Sequence, residues 1–121
     1  MRVSVWLMVA ILALPVIFAR DAEARSLGRM LRDSGLAPSD ISTMEAAARQ
    51  LFEPMGRTGD ARRWSNPKSR SKGAVTLGRI EGGCAELVHR VRTLSRPETA
   101  TYRTWRCRMA DGTWQISPGP N

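Results

Sequence analysis

Cys84, Cys107, His89 and Glu86 are the residues of this chain whose types suggest chemistry, and His89 is the sole histidine. A thiolate or carboxylate beside a histidine is the raw material of nucleophilic or acid–base catalysis. The context does not develop it. No serine stands in Gly-x-Ser-x-Gly, and there is no His-Glu-x-x-His and no glycine-rich phosphate loop. Zinc needs about four ligands, whereas two cysteines and one histidine are on offer, so neither a metal nor another cofactor is expected. His89 reads as a hydrogen-bonded face residue, and Glu86 as the acid of a cross-strand ion pair with Arg103 or Arg106. The cysteines read as a disulfide. The expectation is a protein that is not an enzyme.

Charge is the more informative chemistry. The chain carries 19 Lys+Arg against 11 Asp+Glu, a net charge of +8. Arg57, Arg62, Arg63, Lys68, Arg70 and Lys72 crowd into sixteen residues in which Asp60 is the only acid. A second group follows at Arg90, Arg92, Arg96, Arg103, Arg106 and Arg108. Such clusters attract polyanions, and the planar arginine fork suits phosphate and carboxylate. The first cluster is the candidate anion-binding segment. Trp64, lying among Arg62, Arg63 and Asn66, is the candidate contact aromatic, while Trp105 and Trp114 are expected to fill a small core.

The N-terminus decides which polyanions matter. Arg2 precedes an uncharged run from Val3 to Ala19, and Ala22-Glu23-Ala24 is a small-x-small tripeptide. This is the layout of a secretory signal peptide over residues 1–24. A retained anchor is the competing reading, because 17 residues touch the lower edge of the spanning range of about 17–25. Pro15 and the Ala-x-Ala site favour cleavage near Ala24. Cleavage leaves 97 residues, 121 less 24, and removes two bases and two acids, so the charge stays +8. A chain of this length is one small domain. Export to the periplasm or outer membrane favours a Cys84–Cys107 disulfide and argues against nucleic acid as partner. It points instead to lipopolysaccharide phosphates, anionic lipid heads or peptidoglycan carboxylates, with membrane association peripheral if any.

The elements that position these residues follow from periodicity. Leu27, Met30 and Leu31 suit a first helix over Ser26–Ser34 that stops at Gly35. Ile41, Met44, Ala48, Leu51 and Phe52 form one apolar stripe on a second helix that starts with Ser39 or Ser42, where Ser42-Thr43-Met44-Glu45 fits a capping box, and that stops at Pro54. Residues 56–71 are basic and turn-rich. Strands are expected from Gly73 to Ile80, Cys84 to Leu94, Thr99 to Met109 and Thr113 to Ser117, punctuated by Gly82-Gly83, Ser95-Arg96-Pro97 and Asp111-Gly112. Residues 118–121 are expected to be a disordered tail. The two cysteines have their midpoint at 95.5, on the expected turn, so a hairpin there sets them face to face. The same register opposes Glu86 to Trp105, Leu87 to Thr104, Val88 to Arg103 and His89 to Tyr102. The fold class is α+β: two short helices over residues 25–59, then an antiparallel sheet of four to five strands over 60–117.

One set of residues resembles a known family. Trp64-Ser65-Asn66-Pro67, then Gly73-Ala74-Val75-Thr76, Cys84, and Cys107-Arg108-Met109-Ala110-Asp111-Gly112-Thr113-Trp114 follow the order of the C-terminal domain of the bacterial seventeen-kilodalton surface antigens. The likeness covers about residues 60–117. Better-known members are lipoproteins with a glycine-zipper segment, and this chain has neither the lipid-attachment cysteine nor the zipper. Ala85 also stands where the family usually has arginine. The resemblance implies a small exported envelope protein, a non-lipoprotein variant, with no established activity. The functional expectation is a structural or binding protein that meets an anionic envelope component through its basic surface. The alternative is a protein–protein module, an inhibitor or accessory subunit, using the Trp64 region.

Overall fold

The computed structural model describes residues 33–120. One helix, α1 (Pro38–Phe52), lies over a five-stranded sheet: β1 (Ala61–Asn66), β2 (Ser71–Glu81), β3 (Cys84–Thr93), β4 (Arg96–Arg108) and β5 (Trp114–Ser117). The strands run as an antiparallel meander in sequence order. The expected first helix, like the signal segment, falls outside the described residues except for its last two positions. Gly35 does adopt a left-handed φ of 87°, the conformation expected of a residue that stops a helix.

The helix starts at Pro38, beside Ser39, the earlier of the two expected starts, and one turn before Ser42. Pro38 opens it, its fixed φ suiting the first helical position, and the Asp40 carboxylate accepts the Ala37 amide at 2.8 Å. That is half a capping box, since alanine has no side-chain acceptor to return the bond. Ser42 and Thr43 instead donate to the Pro38 and Ser39 carbonyls behind them, and Glu45 is engaged elsewhere. The stripe behaves as expected. Met44, Ala48, Leu51 and Phe52 are all 2% exposed or less, packed with Val75, Leu77 and Leu87, each at 0%. At about 1.5–3 kcal/mol for each large apolar side chain buried, this seam is the main adhesive between the layers. The helix stops at Phe52, just before Pro54.

Cys84 opposes Cys107, and the four further pairings expected across the hairpin all occur. The register slips only at the apex, between Val91 and Thr93. The Cys84–Cys107 disulfide joins residues 23 apart, with Cα atoms 4.0 Å from each other. Arg108 N–H bonds the Gly83 carbonyl, which makes the adjacent cysteine rung a non-hydrogen-bonded pair, the closer of the two kinds.

Two expectations need correction. Residues 61–66, within the turn-rich basic segment, form edge strand β1, because Trp64 and Asn66 alternate inward while Arg63 and Ser65 face out. Of the expected tail, Gly119 and Pro120 make contacts with the sheet, and residue 121 lies outside the described residues. Gly119 lies against the Trp105 indole, Pro120 approaches Gly82, and both are half-buried.

Candidate functional site

The sheet has a covered face and a bare one. On the covered face, polar groups are matched to partners. Asp40, 0% exposed, accepts from Asn66 Nδ2 at 2.7 Å and from Ser69 Oγ at 2.5 Å. Burial pushes its carboxyl up, but the bonds from Ser69, Ala37, Asn66 and Ser71 together outweigh this and hold it below the usual range. Asn66 thereby ties the β1–β2 turn to the start of α1. Trp64, 6% exposed, lays its indole over Gly73. A Cβ on Gly73 would sit 2.8 Å from the indole Nε1 and 2.5 Å from the Arg90 carbonyl oxygen. Trp114 packs on Phe52 with ring centroids 5.1 Å apart.

The same face buries a small charged cluster. Arg106, 4% exposed, pairs through Nη2 with the Glu45 carboxylate of the helix. His89, 1% exposed, shares a hydrogen bond with the Thr104 hydroxyl at 3.2 Å. Burial lowers its pKa to about 4, with Glu45 raising and Arg106 further lowering it. His89 is therefore a neutral core side chain at neutral pH. Its partner Thr104 is buried as well, so this hydrogen-bonded pair lies inside the core, away from solvent.

The bare face carries the unmatched charge, and register explains where. Arg63 pairs across β2 with Ala74, and Ala74 with Arg90. One rung on, Ser65 pairs with Lys72, and Lys72 with Arg92. Alternation points all of these away from the helix. The small Ala74 between two arginines leaves a hollow of about 550 Å3, bordered by Arg63, Lys72, Arg90, Arg92 and Thr99. No acid lines it. The β1–β2 and β3–β4 turns lie at this same end of the sheet and add Lys68, Arg70 and Arg96. Residues 63–74 and 90–100 thus present seven cations, all exposed, against the single acid Glu98. None of the seven belongs to an ion pair among the described residues. Arg70 also holds a left-handed φ of 59° at its turn, a conformation costly for a residue with a Cβ.

The other half of the bare face is compensated. Glu86 bonds Arg79 at 3.1 Å and lies 3.5 Å from Arg103. The Arg79 hydrogen bond is the main cause of its lowered pKa. Arg79 also stacks over Trp105 at 5.1 Å.

The six expected anion-binding residues therefore separate. Arg63 and Lys72 border the hollow, and Lys68 and Arg70 sit on the adjoining turn. Arg57 lies at the opposite end of the sheet beside Asp60, whose side chain accepts its amide. Arg62 turns to the helix side, its Nε 3.3 Å from Gln50. Arg90 and Arg92 belong to the site though they lie outside the expected segment, and only the strand register reveals them. Trp64, the expected contact aromatic, is 6% exposed with its indole over Gly73, and it is also among the residues that line the hollow. Trp105, expected in the core, lies half-buried on the bare face. Glu86 pairs with Arg103 as expected; Arg106 points to the other face.

Two Ser-x-x-Lys spacings occur, Ser65 to Lys68 and Ser69 to Lys72. Neither is on a helix, where such spacing makes neighbours, and the Ser69 hydroxyl is committed to Asp40. Among the described residues there is no cluster of metal-ligating side chains and no helix long and apolar enough to cross a membrane. Compared with models of known families, with curated proteins and with solved structures, the chain matches none.

Proposed function

We propose that this is an exported, non-enzymatic envelope protein of the surface-antigen type that binds an anionic envelope component through the basic half of its bare sheet face. The observation that carries the reading is the set of seven exposed, unpaired cations with four of them bordering one hollow. Holding like charges together destabilises a fold through mutual repulsion, and an anion in the hollow removes that repulsion. The layout of residues 1–24 supports export, and the Cys84–Cys107 disulfide accords with it. The residues that carry the surface-antigen resemblance have structural work here: Trp64 over Gly73, Asn66 on Asp40, the cysteines on each other. The likeness therefore supports a shared scaffold and leaves the ligand to the cations around it.

The test is binding to lipopolysaccharide at low and high salt. Surface charge contacts weaken steeply as the Debye length falls from about 30 Å at 0.01 M to about 3 Å at 1 M. Reversing two charges as Arg90→Glu with Arg92→Glu is expected to cost about a hundredfold or more, since charged hydrogen bonds contribute about 1.5–3 kcal/mol each. Failure of the wild-type protein to bind at low salt, or binding indifferent to salt, refutes the proposal.

A further inference from the structure

We infer that the turn end of the sheet docks edge-on against an anionic phospholipid bilayer, with Leu94 inserted among the headgroups and the flanking cations on the phosphates. This rests on the anion-binding reading and names its partner. Leu94, at the apex of the β3–β4 hairpin, is 70% exposed, against 43% for Ile80 and 39% for Met55 at the other end. One exposed leucine alone is unremarkable; its setting is what matters. Arg92 and Arg96 stand two residues to either side, both exposed, and Lys68 and Arg70 occupy the neighbouring turn. The two turns are brought level by the pairings Asn66↔Ser71 and Thr93↔Arg96, with Lys72 beside Arg92 one rung below.

An apolar tip ringed by guanidinium and ammonium groups matches the bilayer interface, where apolar burial and attraction to anionic lipid add together. A soluble polyanion has no use for the leucine. The segment before α1 borders this end: Arg96 Nη2 donates to the Asp33 carbonyl, and Gly35 lies against Ser95. Two exposed acids lie nearby, Asp33, whose carbonyl Arg96 bonds, and Glu98, which on β4 lies beyond Arg96 from the tip.

Three probes separate the possibilities: phosphatidylglycerol vesicles, phosphatidylcholine vesicles and inorganic polyphosphate. The purified protein is compared with Leu94→Ser, which is neutral and leaves the basic surface intact, and with Leu94→Trp. The expected result is binding to phosphatidylglycerol but not phosphatidylcholine. Leu94→Ser weakens it about tenfold, and Leu94→Trp gains fluorescence quenching by brominated lipid beyond that of the wild type. Polyphosphate binding and melting temperature are unchanged in both variants. Equal vesicle affinity for wild type and Leu94→Ser, with no added quenching in Leu94→Trp, overturns the inserted tip while leaving anion binding standing. No binding of the wild type to either phosphatidylglycerol or polyphosphate overturns the underlying reading as well.

Discussion

The two faces of this sheet solve the problem of charge in opposite ways. Under the helix, Arg106 is given Glu45, Asp40 is given four donors, and His89 is kept neutral. On the bare face, Arg79 and Arg103 share Glu86 at one end, while Arg63, Lys72, Arg90 and Arg92 stand unpaired at the other. The same sequence therefore has the means to neutralise arginine, and does so at Arg49, Arg79, Arg103 and Arg106. The turn end stands out because it gathers seven cations and none of them is paired with a carboxylate. Buried charge must be matched on grounds of solvation, so pairing under the helix reports folding. Exposed charge is under no such constraint, and its concentration at one end is what directs attention to a ligand.

The largest break in the comparison comes from the disulfide, which holds the helix-free face at the compensated end. Closing a loop of 23 residues is expected to stabilise the fold by about 3 kcal/mol in the chain-entropy account. Cys84→Ser or Cys107→Ser should lower the melting temperature by more than about 10 °C, read by calorimetry on a domain of this size. Oxidised and reduced protein melting together would mean that the covered face alone sustains the sheet.

Much of this architecture is legible in the sequence. The hairpin register follows from two cysteine indices and a turn, because opposed residues on antiparallel strands share one midpoint. The apolar stripe of α1 follows from its spacing. What escapes is the side assignment. Alternation correctly groups Trp105 with Cys107, but which face becomes the core depends on where the helix lands, and that is a tertiary fact. The same gap hides β1. Its text is rich in arginine and turn formers, and only the inward positions Trp64 and Asn66 show the period of two. Without β1, Arg63 cannot be set beside Arg90, and the site reads as a linear segment instead of a patch shared by three strands. Of the two starts expected for α1, Ser39 adjoins the observed one at Pro38 and Ser42 does not, for a local reason. Ser42 and Glu45 have capping-box spacing, yet Pro38 and Asp40 open the helix first and leave Glu45 free for Arg106.

A smaller effect sharpens the covered side. His89 has its pKa depressed to about 4 from 6.5 by burial. The unfolded chain therefore takes up its proton first as pH falls. The contribution to stability is complete above pH 6.5 and is lost as pH drops towards 4, by about 2 kcal/mol between pH 7 and 5. Asp40 and Glu86, with lowered pKa values, add their own losses only at still lower pH. Denaturant melts of His89→Leu should show a flatter dependence between pH 7 and 5 than the wild type. Parallel curves would show that the histidine is hydrated in solution.

Smaller again is the expected response of Arg70, which tests whether the uncompensated end trades stability for binding. Its left-handed backbone costs about 1–2 kcal/mol, and glycine there removes this strain while adding chain entropy to the unfolded state. Arg70→Gly is expected to stabilise the protein by about 0.5 kcal/mol and to weaken lipopolysaccharide binding about threefold, the worth of one exposed charge contact. Stabilisation with unchanged binding would remove Arg70 from the site and leave its conformation a feature of the turn alone.

Arg57 supplies the smallest effect and the cleanest control. By sequence it belongs with Arg62 and Arg63; by structure it sits where Asp60 and Leu77 bond, at the far end of β2 from Lys72. Five residues of strand separate those rungs, about 16 Å at 3.3 Å per residue, whereas salt screens exposed charges beyond about 8 Å at physiological strength. A binder that responds only to net charge loses affinity equally when any one cation is removed. A binder that uses the hollow does not. Arg57→Ala is therefore expected to change lipopolysaccharide affinity by less than about twofold at physiological salt, while Arg90→Ala, removing the same charge from the hollow, costs about tenfold. Equal losses from the two would mean that the molecule is read as a uniformly positive particle, and that the contrast between its balanced and unbalanced regions carries no recognition.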